Sequence, residues 1–201
     1  MKKNLAVVIL AAGEGTRMRS QKPKALHELG GKTLLQRVLK TSAALSPKET
    51  VVVAGHKSGD IINALKDENV KIAIQEKRLG SADALSKAGK YLKKFSGDIL
   101  VLCVDTPLLR PATLRKLYLF HSARKFSASV LSANVADPYG YGRVIRNEKD
   151  EIASIVEEKD ASAAQREINE INSGVYLFQS PAVWDNLSKI GNKNAKKEYY
   201  L

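Results

Sequence analysis

The stretch Leu5-Ala6-Val7-Val8-Ile9-Leu10-Ala11-Ala12-Gly13-Glu14-Gly15-Thr16-Arg17-Met18 decides the fold. Its first half is an unbroken apolar run, the pattern of a strand buried on both faces. Its second half is a loop of small residues and glycines that ends in a cation. In parallel sheets, ligands bind at loops leaving the carboxyl ends of strands. Small residues there let backbone N–H groups approach phosphate oxygens closely. The pattern alone is open between a phosphate cradle and a structural turn. No Gly-Lys-Ser/Thr closes it as a Walker A loop, and Met18 stands where a dinucleotide fingerprint has its third glycine. Arg17 and Lys24 favour phosphate, since one offers a fork of donors and the other a compact charge.

Working outward, three more short apolar runs follow, at Thr50 to Val53, Val70 to Ile74 and Ile99 to Val104. Between them, helical spacing is expected over Thr33 to Leu45, Gly59 to Leu65, Ser81 to Leu92 and Pro111 to Phe120. This alternation predicts an α/β protein with a parallel, helix-covered sheet. After about Phe126 the rhythm changes. Ser127 to Val135, Val144-Ile145, Ile152 to Val156 and Gly174 to Phe178 read as strands of a mixed sheet grafted onto the parallel half. Lys189 to Leu201 is polar and lysine-rich, and reads as a frayed tail or as a chain cut short.

The 201 residues suit one domain, and the net charge of +12 favours anionic partners such as nucleoside triphosphates, nucleic acid or acidic lipid. The basic residues are spread out, with no aromatic-basic platform, so nucleic acid is not an expected partner. No stretch approaches the ~20 apolar residues of a membrane span. A single cysteine, Cys103, lies in an apolar run and reads as a buried, inert thiol, which fits a reducing, cytoplasmic compartment. His27, His56 and His121 lack metal-ligand spacing and read as surface or satisfied residues.

Further polar candidates sit at strand ends. Asp105, after the fourth apolar run, is open between a turn or capping residue and a Mg²⁺ ligand, since magnesium near phosphates takes one or two carboxylates. Gln75 carries a donor and an acceptor that could read a pyrimidine edge. Ser81 is open between an N-cap and a ligand contact, and Glu157 and Asn172, each alone, read as structural.

Taken together, these segments resemble the sugar-nucleotide pyrophosphorylase family, and within it the N-acetylglucosamine-1-phosphate uridylyltransferase domains. The resemblance rests on Leu10 to Arg17 with Pro23-Lys24, on Gln75 with Leu79-Gly80-Ser81, and on Asp105 to Leu108. It continues through Tyr139 to Arg143, Ile155 to Asp160, Glu170 to Gly174 and Asn194 to Tyr200. It implies a three-layer α/β/α, Rossmann-like fold with a mixed, mostly parallel sheet. It also implies roles: Leu10, Ala11, Ala12 and Gly13 would hold base and ribose, and Arg17 and Lys24 the triphosphate. Gln75, Gly80 and Ser81 would recognise uracil, Asp105 would hold Mg²⁺, and Gly142, Glu157 and Asn172 would receive the amino sugar. The implied partners are UTP and a sugar 1-phosphate. A cytidylyl- or guanylyltransferase and a non-catalytic binding module are the alternatives. Two residues depart from the family pattern. Val104 replaces a glycine and is expected to crowd ribose or base, and Asp83 replaces a histidine. The resemblance places the family's second metal ligand, an asparagine, past the position of Leu201, and no acetyltransferase β-helix is expected within these residues. Residues 1–201 are therefore expected to be one nucleotidyltransferase domain shortened at its C-terminal end.

Overall fold

A computed structural model describes residues 4–13, 15, 18–55 and 58–201. Strand β1 (Leu5–Ala11) is the centre of the parallel half. It pairs in parallel with β4 (Glu49–Gly55) on one side and with β6 (Asp98–Cys103) on the other. β5 (Lys71–Gln75) extends the sheet beyond β4. The period of two decides which layer each β1 side chain joins. Leu5, Val7, Ile9 and Ala11 pack with Leu35, Val38 and Leu39 of α1 (Leu34–Ala43) and with Leu114 and Leu117 of α4 (Pro111–Arg124). Ala6 and Val8 face the other way, onto Leu85, Ala88 and Leu92 of α3 (Ser81–Leu92) and Val183 of α6 (Ser180–Leu187). The result is three α/β/α layers. Helix α2 (Gly59–Ala64) adds Ile61 to the first face.

Local chemistry sets several ends. Thr33 and Gln36 form a reciprocal capping box at the start of α1, which contributes on the order of 1 kcal/mol. Thr33 closes the small hairpin of β2 (Glu28–Leu29) and β3 (Lys32–Thr33). Helix α4 runs past the expected Phe120 to Arg124 and stops at Lys125 in the left-handed conformation. Leu119 and Phe120 are exposed on it, so its apolar pattern fades before its backbone does. His121 of α4 is fully buried. Its Nδ1 meets Ser129 Oγ at 2.9 Å, its Nε2 lies 3.6 Å from Asp98, and burial lowers its pKa against the pull of that carboxylate.

The mixed half is organised by β10 (Glu170–Gln179). One edge pairs antiparallel with β7 (Ala128–Asn134). The other pairs with β6 through Tyr176–Gln179 and meets β8 (Arg143–Arg146) at Ile171. β9 (Ile152–Val156) completes the edge beyond β8, and α5 (Ala163–Arg166) follows it. The described residues thus form one eight-stranded sheet ordered β5-β4-β1-β6-β10-β8-β9, with β7 on the far side of β10.

Three of these strands meet at Glu170. Its carboxylate accepts from Arg146 of β8 at 2.8 Å twice and from Ser132 of β7 at 2.6 Å. The Arg146 bonds, aided by Ser132, hold its pKa down at about 2 instead of 4.5. A depressed carboxylate stabilises the fold above its unfolded value and loses that contribution as pH falls toward its folded one. The stability difference between wild type and Glu170→Gln should therefore be constant near neutral pH and shrink between pH 4.5 and about 2. Urea melts across that range test this, and a pH-independent difference would contradict it.

Candidate functional site

The register brings the ends of the parallel strands level. Leu10 lies opposite Val53 and Cys103, Ala11 opposite Ala54, and Gly55 opposite Gln75. Their following loops therefore share the carboxyl edge of the sheet. A surface depression of about 670 Å³ beside α1, lined by Thr50 and Val70, lies at the opposite edge and takes no part.

The first cluster at this edge is an ion pair. Lys24 opens a single 3₁₀ turn (Lys24–Leu26) whose next two residues, Ala25 and Leu26, are buried in the core. That anchoring carries the ammonium to Asp105, where Nζ donates to Oδ2 at 2.7 Å. Asp105 follows β6, and its side chain is 49% exposed, so a carboxylate–ammonium pair stands at the sheet edge open to solvent. Gly15, at φ +66°, lies so close that an added Cβ would sit 2.8 Å from Lys24 Cβ. Gly15 thus packs against the stem of this lysine. Arg17, singled out with it, lies outside the described residues, as does His56. Val104 does not stand in open space: it is 4% exposed and packs in the core cluster of Ala11, Ala25 and Leu26. Cys103, expected to be buried, is half-buried. Its thiol donates to the Gly174 carbonyl, and burial, with the Asp105 charge, pushes its pKa up to about 12 against the pull of Lys24.

The second cluster joins Gln75, Gly80 and Ser81. Gln75 is buried, and its Nε2 donates to Gly80 O at 3.1 Å and to Asp83 Oδ2 at 2.8 Å. Asp83, the residue in place of the family's histidine, is also paired with Lys87 at 2.9 Å. The donor end of the Gln75 amide therefore faces the protein, and any contact with a base falls to Oε1. Ser81 is not the N-cap of α3. Gly80 holds that position, and the Ser81 hydroxyl accepts from the Leu201 N–H at 3.0 Å.

The third cluster joins Gly142, Glu157 and Asn172. An added Cβ on Gly142 would lie 2.8 Å from Glu157 Oε1, and the Asn172 N–H donates to the Gly142 carbonyl at 2.8 Å. Glu157 borders a cavity of about 230 Å³ with Asp160, Asn194, Tyr200 and Leu201. Burial raises its pKa; Lys196 opposes the shift, and Asp160 and Glu198 add to it.

The tail after α6 is docked rather than frayed. The Tyr199 N–H donates to Leu79 O at 2.7 Å, and the Ala82 N–H donates to Tyr199 O at 2.9 Å. Asn194 Oδ1 accepts from the N–H groups of Lys196 and Glu198, and Asp160 accepts from Ala195. Residues near 194–201 thus wall both the second and third clusters. The sequence signal for this is Asn194 in a polar run, a side chain suited to closing its own turn.

Among the described residues, no group of three metal-binding side chains occurs and no helix is long and apolar enough to cross a membrane. What the described residues offer at this edge is the Lys24–Asp105 pair and two polar clusters.

Residues 7–170 match the MobA-like NTP transferase domain, and the chain belongs to that nucleotidyltransferase family. It is 45% identical to the bifunctional protein GlmU of Syntrophotalea carbinolica over 98% of this chain and 42% of that one. It is 46% identical to GlmU of Pelotomaculum thermopropionicum over 98% and 43%. The chain therefore spans about two fifths of the length of these relatives. Its fold matches UDP-glucose pyrophosphorylase complexed with UDP-glucose, at TM-score 0.78, 18% identity, and 98% and 83% coverage. It also matches HddC from Yersinia pseudotuberculosis, at TM-score 0.70, 24% identity, and 97% and 82% coverage.

Gly80 has φ +108°, and an added Cβ would lie 2.3 Å from Tyr199 O. Gly80→Ala should cost roughly 1–3 kcal/mol and release the tail. Faster amide exchange at Tyr199 and Ala82 is the expected signature, and unchanged protection there would show that the tail docks without this contact.

Proposed function

We propose that the protein joins UTP to a sugar 1-phosphate, with N-acetylglucosamine 1-phosphate its preferred sugar, giving a UDP-sugar and pyrophosphate. The observation that carries this reading is the solvent-facing Lys24–Asp105 pair at the carboxyl edge, between two polar clusters. The 45% identity to GlmU across nearly the whole chain supports the choice of substrates. We infer that all 201 residues serve this one nucleotidyltransferase domain. A cytoplasmic reaction fits its single, free Cys103.

In this reading, an oxygen of the sugar phosphate attacks the α-phosphorus of UTP. The new O–P bond forms as the bond to the bridging oxygen breaks, and the electron pair leaves with pyrophosphate. The nucleophile is already an anion, so no side chain need remove a proton. The barrier is repulsion between anions together with alignment, which positioned cations and dipoles lower. Lys24 and Arg17 would neutralise the triphosphate. Leu10, Ala11, Ala12 and Gly13 would present backbone to base and ribose. Gln75, Gly80 and Ser81 would select the base, and Gly142, Glu157 and Asn172 would seat the sugar. Asp105 fits a Mg²⁺ ion, because one carboxylate beside substrate phosphates is the usual magnesium donor set. Lys24 engages the Oδ2 atom of this carboxylate. A bound Mg²⁺ would supply charge neutralisation on the phosphate oxygens.

Lys24→Ala and Asp105→Asn should each lower kcat/KM for pyrophosphate release by about 100-fold or more, with circular dichroism unchanged. Chelation should abolish turnover and Mg²⁺ restore it. Full turnover in excess EDTA would overturn the metal assignment. Thermal-shift measurements with UTP, CTP, GTP and dTTP test the base, with the largest stabilisation expected for UTP. Salt-sensitive nucleic-acid binding without pyrophosphate release would overturn the whole reading.

A further inference from the structure

Between the sugar-side and base-side clusters lies a buried side chain to which neither sequence pattern nor proposed chemistry gave a role. Tyr176 is 7% exposed, and its ring stacks on Phe178 with centroids 5.6 Å apart. Asn172 Nδ2 meets its hydroxyl at 2.7 Å, and the hydroxyl meets the Leu201 carbonyl at 3.1 Å. The Leu201 N–H continues the path to Ser81 Oγ at 3.0 Å. One hydrogen-bonded path thus runs from Asn172 through Tyr176 and the tail to Ser81.

Backbone groups fix the direction of each bond. The Leu201 carbonyl only accepts, so the Tyr176 O–H donates to it. The Gly174 N–H only donates, and it meets Asn172 Oδ1 at 3.0 Å. Asn172 must therefore turn Nδ2 toward the Tyr176 oxygen, which accepts. This locks the amide in one of its two orientations and leaves its second Nδ2 hydrogen as the donor it can offer a ligand. Burial raises the Tyr176 pKa, with Asn172 opposing the shift, so the hydroxyl stays protonated and keeps both roles. Gly174 sits in the bulge where the pairing of β10 with β7 slips between Asn172 and Val175. The bulge is what aims its N–H back at Asn172.

We propose that Tyr176 is a positioning residue for nucleotidyl transfer: its hydroxyl orients the Asn172 amide for the sugar phosphate and ties that subsite to the tail that closes the base subsite. This inference rests on the proposed function. Tyr176→Phe removes the hydroxyl and keeps the stacked ring. A lost hydrogen bond of about 1 kcal/mol corresponds to roughly a fivefold change. The sugar-phosphate KM should rise by roughly three- to tenfold, with the UTP KM within about twofold. On an Asn172→Ala background the same change should add nothing, because the group it orients is gone. An unchanged sugar KM in Tyr176→Phe, a loss confined to kcat, or full additivity with Asn172→Ala would overturn the proposal. If wild-type protein releases no pyrophosphate with any triphosphate, the functional reading fails instead. The relay is then judged by hydrogen exchange alone. Faster exchange at the Leu201 amide in Tyr176→Phe supports it, and unchanged exchange overturns it.

Discussion

Strand β1 has neither a free edge nor a free face. Its backbone is paired along both sides, and its side chains are divided between two helical layers. A strand so placed admits no polar residue until it leaves the sheet, and a one-residue slip would exchange the two faces. The transition from Ala11 to Gly13 is therefore fixed relative to the ends of β4, β5 and β6. Lys24 reaches Asp105 only because β6 ends beside β1 and the buried Ala25 and Leu26 hold the intervening chain down. Positioning at the edge is a consequence of packing at the centre.

β10 plays the corresponding part in the mixed half. It runs antiparallel to β6, so continuing their register from Tyr176 opposite Val101 brings Gly174 toward Cys103. The Cys103–Gly174 contact marks that crossing. Beyond it, the chain buries Arg143 at 1% exposure. Its guanidinium is met by Glu158 at 2.8 Å and by the carbonyls of Tyr141 and Arg166. A buried ion with poor partners costs several kcal/mol, and a charged partner with carbonyl acceptors offsets that cost. Glu158 is also held by the Gly140 N–H, so the same carboxylate pins the Tyr139–Gly142 turn beside Glu157.

The parallel half was legible because burial on both faces writes itself into composition. The first strand was expected at Leu5 to Leu10 and found at Leu5–Ala11, and α3 was expected and found at Ser81–Leu92. Elsewhere the signal was weaker. The strand expected at Gly174 to Phe178 begins at Glu170, because Glu170, Asn172 and Ser173 are polar and break the apolar run around Ile171. Helix α6, with Pro181 in its first turn and Trp184 over α3, went unread, as did α5 and the β2–β3 hairpin. Of the two readings of the tail, the frayed one fails for a clear reason. Its lysines look solvated, and what holds it is mostly backbone hydrogen bonding to Leu79 and Ala82, which leaves no periodic trace. Candidate site residues could be picked from spacing and resemblance, but their partners could not. Gln75 turning its donors inward and Val104 joining the core are facts of packing.

The tail also bears on how such a site could work. An anionic nucleophile and an anionic acceptor leave little for a side chain to do except hold both in line, so catalytic power depends on how firmly the two subsites are spaced. Here the Gly80–Ser81 segment is closed by residues about 120 positions away in the chain, and Asn172 belongs to a third segment. No local element could fix their separation. Tyr176 itself is paired on both sides, with Val101 on one and Val130 on the other. A hydroxyl placed there is as rigid as the sheet itself. Contacts routed through it inherit that rigidity, whereas the same contacts routed through a surface loop would not.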